Sequence, residues 1–330
     1  MPVLPALVPA RLQNLRAHMA AQGWQAVLIP SSDPHLSEYL PAHWQGREWF
    51  SGFTGSSGTL IVAANRAALF TDSRYWEQAE AELSDTPVDL FKLEGPAIPA
   101  YVHWLLLQAS AGQLAVDGAV LGLAQTQQLQ QALSAAQWTL VATEDPLAAV
   151  WAERPALPSA TVFEHVAPYA ATPRTEKLAA LRQAMQDMSA THHWIATLDD
   201  LAWLLNLRGA DVDYNPVFLG HALIGLDQAT LFVGAGKVPA ALQEALQRDG
   251  IQIQPYEQAL PALKTLPSQA CLLIDPKRIT WGLRQAVPES VSVIEAINPT
   301  TLAKSCKTDA EAGFIREAMA HDGAAMAEFY

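Results

Sequence analysis

The chain repeats itself once, and a duplicated unit constrains both architecture and domain number before any single element is assigned. Residues 11–22 carry a helical pattern, apolar at Leu12, Leu15 and Met19, and run into residues 24–29, a short apolar stretch that reads as a buried strand. Residues 177–189, apolar at Leu178, Leu181, Met185 and Met188, run in the same way into residues 193–198. Two short runs, 58–62 and 68–71, joined by a turn at Ala64-Asn65-Arg66, predict a β-hairpin. Runs 222–225 and 230–233, joined at Leu226-Asp227-Gln228, predict its counterpart. A helical pattern follows each hairpin, over 75–83 and 239–247. Three strands follow in each half: 88–93, 113–117 and 138–146 in the first, 251–256, 270–275 and 291–299 in the second. Aligning Trp24 with Trp194 and Pro146 with Pro299 makes the offset shrink along the chain, as loops gain and lose residues. The alternative is that any two α/β domains share some β-β-α-β order; both readings predict two mixed α/β domains.

At 330 residues the chain exceeds one ordinary hydrophobic core. The expected division is a first domain over 1–150, a linker over 151–160 with Pro155 and Pro158, and a second domain over 161–301. The start of a third follows over 302–330. There Thr308, with Glu311 three residues on, predicts a helix N-terminus near Asp309. The sequence stops at Tyr330 inside that helix, with no capping Gly or Pro, so a chain continuing further is expected.

A formal net charge of -13, with no basic cluster to offset it, makes nucleic acid and anionic membrane poor partners. Only Cys271 and Cys306 occur, in no metal-ligand spacing, which suits a reducing compartment. Residues 1–10 are interrupted by Pro2, Pro5 and Pro9 and lack a basic lead, unlike a signal peptide. No apolar run is long enough to span a bilayer. A cytoplasmic protein is the expectation.

Chemistry is sparse. Asp211 and Asp213 with His221 offer the ligand types of a divalent ion, but the flanking Gly209 and Asn215-Pro216 explain the carboxylates as turn residues. His192-His193 reads as a polar pair at a helix end, and Asp199-Asp200 as the N-cap of a helix over 201–206. The glycine-rich stretch 52–58 lacks the Lys-Ser/Thr of a phosphate loop and leads into a strand, and Ser56 and Ser57 lack the frame of a hydrolase nucleophile. Thr71-Asp72-Ser73-Arg74-Tyr75-Trp76 gathers a carboxylate, a guanidinium and two aromatics where a helix begins. Arg74 can clamp a ligand carbonyl or carboxylate, or form an internal ion pair with Asp72.

Several motifs in order resemble the three-domain aminopeptidase P family, relatives of creatinase and prolidase. They are Ile29-Pro30-Ser31-Ser32-Asp33-Pro34-His35-Leu36-Ser37-Glu38-Tyr39, Ser51-Gly52-Phe53-Thr54-Gly55-Ser56-Ser57-Gly58-Thr59, Thr71-Asp72-Ser73-Arg74-Tyr75, Trp151 with Arg154-Pro155, residues 198–209, and Asn215-Pro216-Val217-Phe218. The resemblance implies two creatinase-type α/β domains in tandem and the first helix of a pita-bread catalytic domain, opened by Lys304, Thr308 and Glu311. It further implies release of the residue before proline from peptides with proline at the second position. Two divalent ions, usually manganese, would activate water there. The family's five metal ligands and assisting histidine fall beyond this chain, so no catalytic residue and no metal ligand is assigned within it. Arg74 matches the family's substrate-contacting arginine, and a homodimer is implied. The expectation is an inactive N-terminal part that gates substrate. A stand-alone peptide- or partner-binding module, and a fragment of a prolidase- or creatinase-like enzyme, are the alternatives.

Overall fold

The protein is described by a computed structural model over residues 5–330. Met1 to Leu4, part of the stretch read above as unlike a signal peptide, lie outside the described residues. In chain order the elements of the first half are α1 (Val8–Gln22), β1 (Ala26–Pro30), α2 (Gly46–Ser51), β2 (Thr59–Ala63), β3 (Ala67–Thr71), α3 (Trp76–Leu83), β4 (Asp89–Lys92), α4 (Ala97–Gln108), β5 (Gly112–Asp117), α5 (Leu123–Ala135) and β6 (Trp138–Thr143). The second half continues with β7 (Phe163–Glu164), α6 (Arg174–Asp187), β8 (His192–Ile195), α7 (Leu198–Leu204), β9 (Leu207–Arg208), β10 (Gly220–Gly225), β11 (Ala229–Val233) and α8 (Ala240–Arg248). It closes with β12 (Ile251–Pro255), α9 (Ala259–Lys264), β13 (Cys271–Ile274), α10 (Trp281–Ala286), β14 (Ser292–Glu295), α11 (Pro299–Ser305) and α12 (Asp309–Phe329).

The two large sheets share one topology. The first has the order β4-β3-β2-β1-β5-β6 and the second β12-β11-β10-β8-β13-β14, each with six strands. In both, the hairpin pairs antiparallel with itself and with the opening strand, whereas the outer strands pair parallel. A small ribbon of β7 and β9 accompanies the second sheet. By contacts the first unit runs to Pro158 and takes in Pro276–Ala286, and the second comprises Ser159–Asp275 and Val287–Tyr330.

Register corrects the alignment read from sequence. Ala26 pairs with Ala63 at one end of the first strand pair, and His192 with Gly225 at the same end of the second. The counterpart of Trp194 is therefore Leu28, and Trp24 lies before β1. With that register, interactions repeat side chain by side chain. Arg11 on α1 donates to the Trp49 carbonyl at 2.8 Å and lies over its ring; Lys177 on α6 does the same to Trp203, also at 2.8 Å. Arg16 donates to the Ala63 carbonyl at the first hairpin turn and Arg182 to that of Gly225 at the second, both at 3.0 Å. Gly58 and Gly220 face the carbonyls of Phe70 and Phe232, which a Cβ would approach to 3.2 and 3.0 Å. Both phenylalanines are almost fully buried, each contributing on the order of 2–3 kcal/mol.

Other expectations shift by a few residues. Helix α1 begins at Val8 because Pro9 sits in its first turn, where no N–H partner is needed. Strand β8 ends at Ile195, since Thr197 is the N-cap of α7; Asp199 and Asp200 lie in the first turn rather than at the cap. Thr308 and Glu311 form the predicted capping box of α12. Helices α4 and α5, unpredicted, cover one face of the first sheet through Tyr101, Trp104, Leu105, Leu129 and Leu133. Among the described residues no helix is long and apolar enough to cross a membrane.

His193 stands in β8 where the first sheet has Val27, and it is fully buried rather than at a helix end. Burial pushes its imidazole down to about 4, and its Nδ1 lies 2.9 Å from the Leu273 carbonyl. The unfolded chain takes up this proton near pH 6.5 and the folded chain only near 4, so acidification through that window favours unfolding, by up to about 3 kcal/mol. Replacing His193 with valine is expected to flatten the loss of thermal stability between pH 7 and pH 4. An unchanged acid limb in His193→Val would assign that loss to other groups.

Candidate functional site

Arg74 projects from a single helical turn, Ser73–Tyr75, between the end of β3 and α3. Asp72 caps this turn by accepting from the Arg74 amide at 3.1 Å. The same carboxylate takes Nε at 2.8 Å and Nη2 at 2.9 Å, a bidentate pair that lowers the Asp72 pKa and raises that of Arg74. The ion pair weighed against ligand binding thus exists, yet it occupies one edge of the guanidinium. Nη1 makes no hydrogen bond among the described residues, and the Arg74 side chain is 70% exposed. A guanidinium carries five donors, so the outer Nη1/Nη2 edge remains a fork for a second carboxylate or carbonyl. Beside Asp72, at the C-terminal ends of β1 and β3, lies a cleft of about 480 Å³ with Ser31, Thr59, Thr71, Tyr101 and Lys277 in its walls. In the second sheet the position of Thr59 is taken by His221, which stacks on Trp194 and Tyr256 at 5.3 Å from each.

The glycine-rich stretch is a structural loop whose Phe53 and Thr54 amides are taken by side chains of the protein itself. Gly52 closes α2 in the left-handed region, at φ 83°. The Phe53 amide donates to the Ser51 hydroxyl and the Thr54 amide to the Glu82 carboxylate at 2.8 Å, which leaves those amides committed and an acid where a phosphate would sit. From below, the buried Arg47 donates to the carbonyls of Phe53 and Gly55. Burial pushes Arg47 down to about 10, still charged at neutral pH. Ser56 bonds Tyr75 at 2.6 Å, and the Ser57 carbonyl accepts from Thr71. Neither serine is posed as a nucleophile.

The remaining candidates resolve into packing. Asp211 is buried, forms a close ion pair with Lys237, and accepts from the Leu219 amide at 2.6 Å; Asp213 is exposed and His221 is in the aromatic stack. Asp199 and Asp200 both pair with Lys304 on α11, Asp200 at 3.1 Å, and Asp200 also accepts from Thr197. Among the described residues no group of three or more His, Cys, Asp or Glu side chains is placed to hold a metal ion. The residues present do not fit the divalent pair implied by the sequence resemblance.

Two stretches, each overlapping a motif quoted above, are counterparts. Trp49-Phe50-Ser51-Gly52-Phe53-Thr54-Gly55 matches Trp203-Leu204-Leu205-Asn206-Leu207-Arg208-Gly209, with Gly52 and Asn206 both at positive φ. A Cβ on Gly55 would lie 2.3 Å from Phe53, and one on Gly209 2.7 Å from Phe218. The spacing of the tryptophan and final glycine is a sequence signal that would have exposed this repeat, and with it α2. In the stretch read as linker, Trp151 stacks on Trp49 at 5.2 Å and Arg154 bonds the His43 carbonyl and the Asp145 carboxylate.

A tandem pair of mixed α/β modules matches known domains. Residues 11–150 and 153–311 each match a family model described as creatinase/prolidase N-terminal domain, and the chain belongs to that family. Within it, the chain is similar to proteins described as probable Xaa-Pro aminopeptidase P. The Pyricularia oryzae protein is 33% identical over 97% of this chain and 54% of its own length, and an Ajellomyces capsulatus protein is 34% identical over 97% and 52%. The chain spans about half the length of these curated relatives. A crystal structure of X-prolyl aminopeptidase from Caenorhabditis elegans, described as a cytosolic enzyme with a di-nuclear active site, superposes with a TM-score of 0.88 at 24% identity. The match covers 98% of this chain and 55% of that one, and the likeness is one of fold.

Lys237→Met would leave Asp211 buried without its cation, and a loss of about 3–5 kcal/mol is expected in denaturant unfolding. Addition of Mn²⁺ is expected to leave the melting temperature of this chain unchanged. A rise that Asp211→Asn abolishes would restore the metal reading of that cluster.

Proposed function

We propose that this chain is the N-terminal, substrate-side part of an Xaa-Pro aminopeptidase and does not cleave peptides by itself. The observation that carries the reading is the match to aminopeptidase P relatives along nearly the whole chain but only half of theirs, joined to the lack of a metal-binding group among the described residues. The activity then belongs to a metal-dependent half supplied by the complete protein. Proline lacks an N–H and has a fixed φ, so a strand-like peptide grip fails around it and a dedicated entrance is required. In this reading Arg74 contributes to that entrance by holding a substrate carbonyl or carboxylate on its outer edge. Manganese as the ion, a homodimer and a cytoplasmic location belong to the same proposal.

Hydrolysis of an Xaa-Pro tripeptide with added Mn²⁺ is expected from the product of the complete reading frame and not from these 330 residues. In the complete protein, Arg74→Ala is expected to raise KM roughly ten-fold, the loss of one charge-assisted contact, with little change in kcat. Cleavage by the 330-residue chain would overturn the proposal, and an unchanged KM in Arg74→Ala would remove Arg74 from it.

A further inference from the structure

We infer that Tyr75 is the positioning residue that aims Arg74, and that the glycine-rich loop is the seat built to hold Tyr75. The inference rests on the reading of Arg74 as a substrate contact and extends it to residues that touch no substrate. Two contacts and one close approach fix the phenol ring. Its hydroxyl lies 2.6 Å from the Ser56 hydroxyl. Its edge meets Phe53 with ring centroids 6.0 Å apart and planes at 87°. Its Cδ1 would lie 2.7 Å from a Cβ on Gly55, a distance no side chain tolerates. Ring and loop therefore share one narrow space, which only glycine leaves open.

The loop in turn is held by bonds that do not involve Arg74. Arg47 ties the Phe53 and Gly55 carbonyls, Glu82 ties the Thr54 amide and hydroxyl, and Thr71 ties the Ser57 carbonyl to the end of β3. The Arg74 guanidinium carbon stands over the Tyr75 ring, 5.3 Å from its centroid, within cation–π range. Asp72 fixes one edge of the guanidinium and Tyr75 supports its face, so the direction of the free edge depends on both. A glycine-rich loop that binds no phosphate thereby has a use: it sets the aim of an arginine one residue away from the tyrosine that it holds.

The test uses the complete enzyme and an Xaa-Pro tripeptide. Tyr75→Phe keeps the ring and removes only the bond to Ser56. The expected result is a KM raised roughly five-fold with kcat within about two-fold, the same change in Ser56→Ala, and no further change in the double variant. Placed in the Arg74→Ala background, Tyr75→Phe is expected to do nothing more, a coupling that a merely structural role would not produce. If Arg74→Ala raises KM but Tyr75→Phe leaves it unchanged, the inference fails while the reading of Arg74 stands. An effect of Tyr75→Phe that persists in Arg74→Ala would mean that Tyr75 acts on its own account and overturns the inference. If Arg74→Ala itself has no effect, both fall together.

Discussion

In each half an arginine on the opening helix reaches across to the carbonyl at the hairpin turn, Arg16 to Ala63 and Arg182 to Gly225. One turn earlier, Arg11 and Lys177 donate to the last carbonyls of the helices that bear Trp49 and Trp203. A charged donor adds a hydrogen bond to carbonyls at the hairpin turn and in the last turn of the short helix, where the helical ladder runs out. The opening helix is thereby fixed in azimuth against the sheet, and its apolar stripe, Leu12, Leu15 and Met19 or Leu178, Leu181 and Met185, must face inward. The central strand position, the hairpin register and the placement of the loop after α2 follow from that docking.

The duplicated order of elements was legible because each hairpin and each opening helix carries a local pattern: short continuous apolar runs for strands buried on both faces, a 3.6-residue stripe, turn residues. What could not be read has identifiable physical causes. In α4, Leu106 and Leu107 are exposed beside buried Trp104 and Leu105, so no clean apolar stripe marks the helix. In α5 the buried positions are separated by glutamines that a strand or a loop would carry equally well. Helix α2 has six residues, too short for periodicity to show. Trp24 and Trp194 look equivalent because tryptophan is conspicuous, yet hydrogen-bond register, which sequence does not display, sets them four positions apart.

For the site, residue chemistry singled out Arg74 and the stretch around it but left two roles open, ion pair or ligand contact. The geometry makes them compatible, since Asp72 and a ligand can use different edges of one guanidinium. Arg47 was missed because a lone arginine in Gly46-Arg47-Glu48 looks like surface; only the fold shows it beneath the loop, donating to carbonyls. The Asp211, Asp213 and His221 group drew notice for its residue types, and each member had a packing partner or solvent that sequence spacing could not show.

The bidentate hold of Asp72 on Arg74 also bears on the thermodynamics of any encounter at that surface. A free arginine side chain has many rotamers, and immobilising it on binding costs entropy that the new contact must overcome. Here the chain ordered that side chain when it folded, so an incoming carboxylate or carbonyl meets a fork already in its final orientation. Binding at this point should therefore carry a smaller entropic penalty than an exposed arginine would suggest, and its enthalpy should be expressed more fully in affinity.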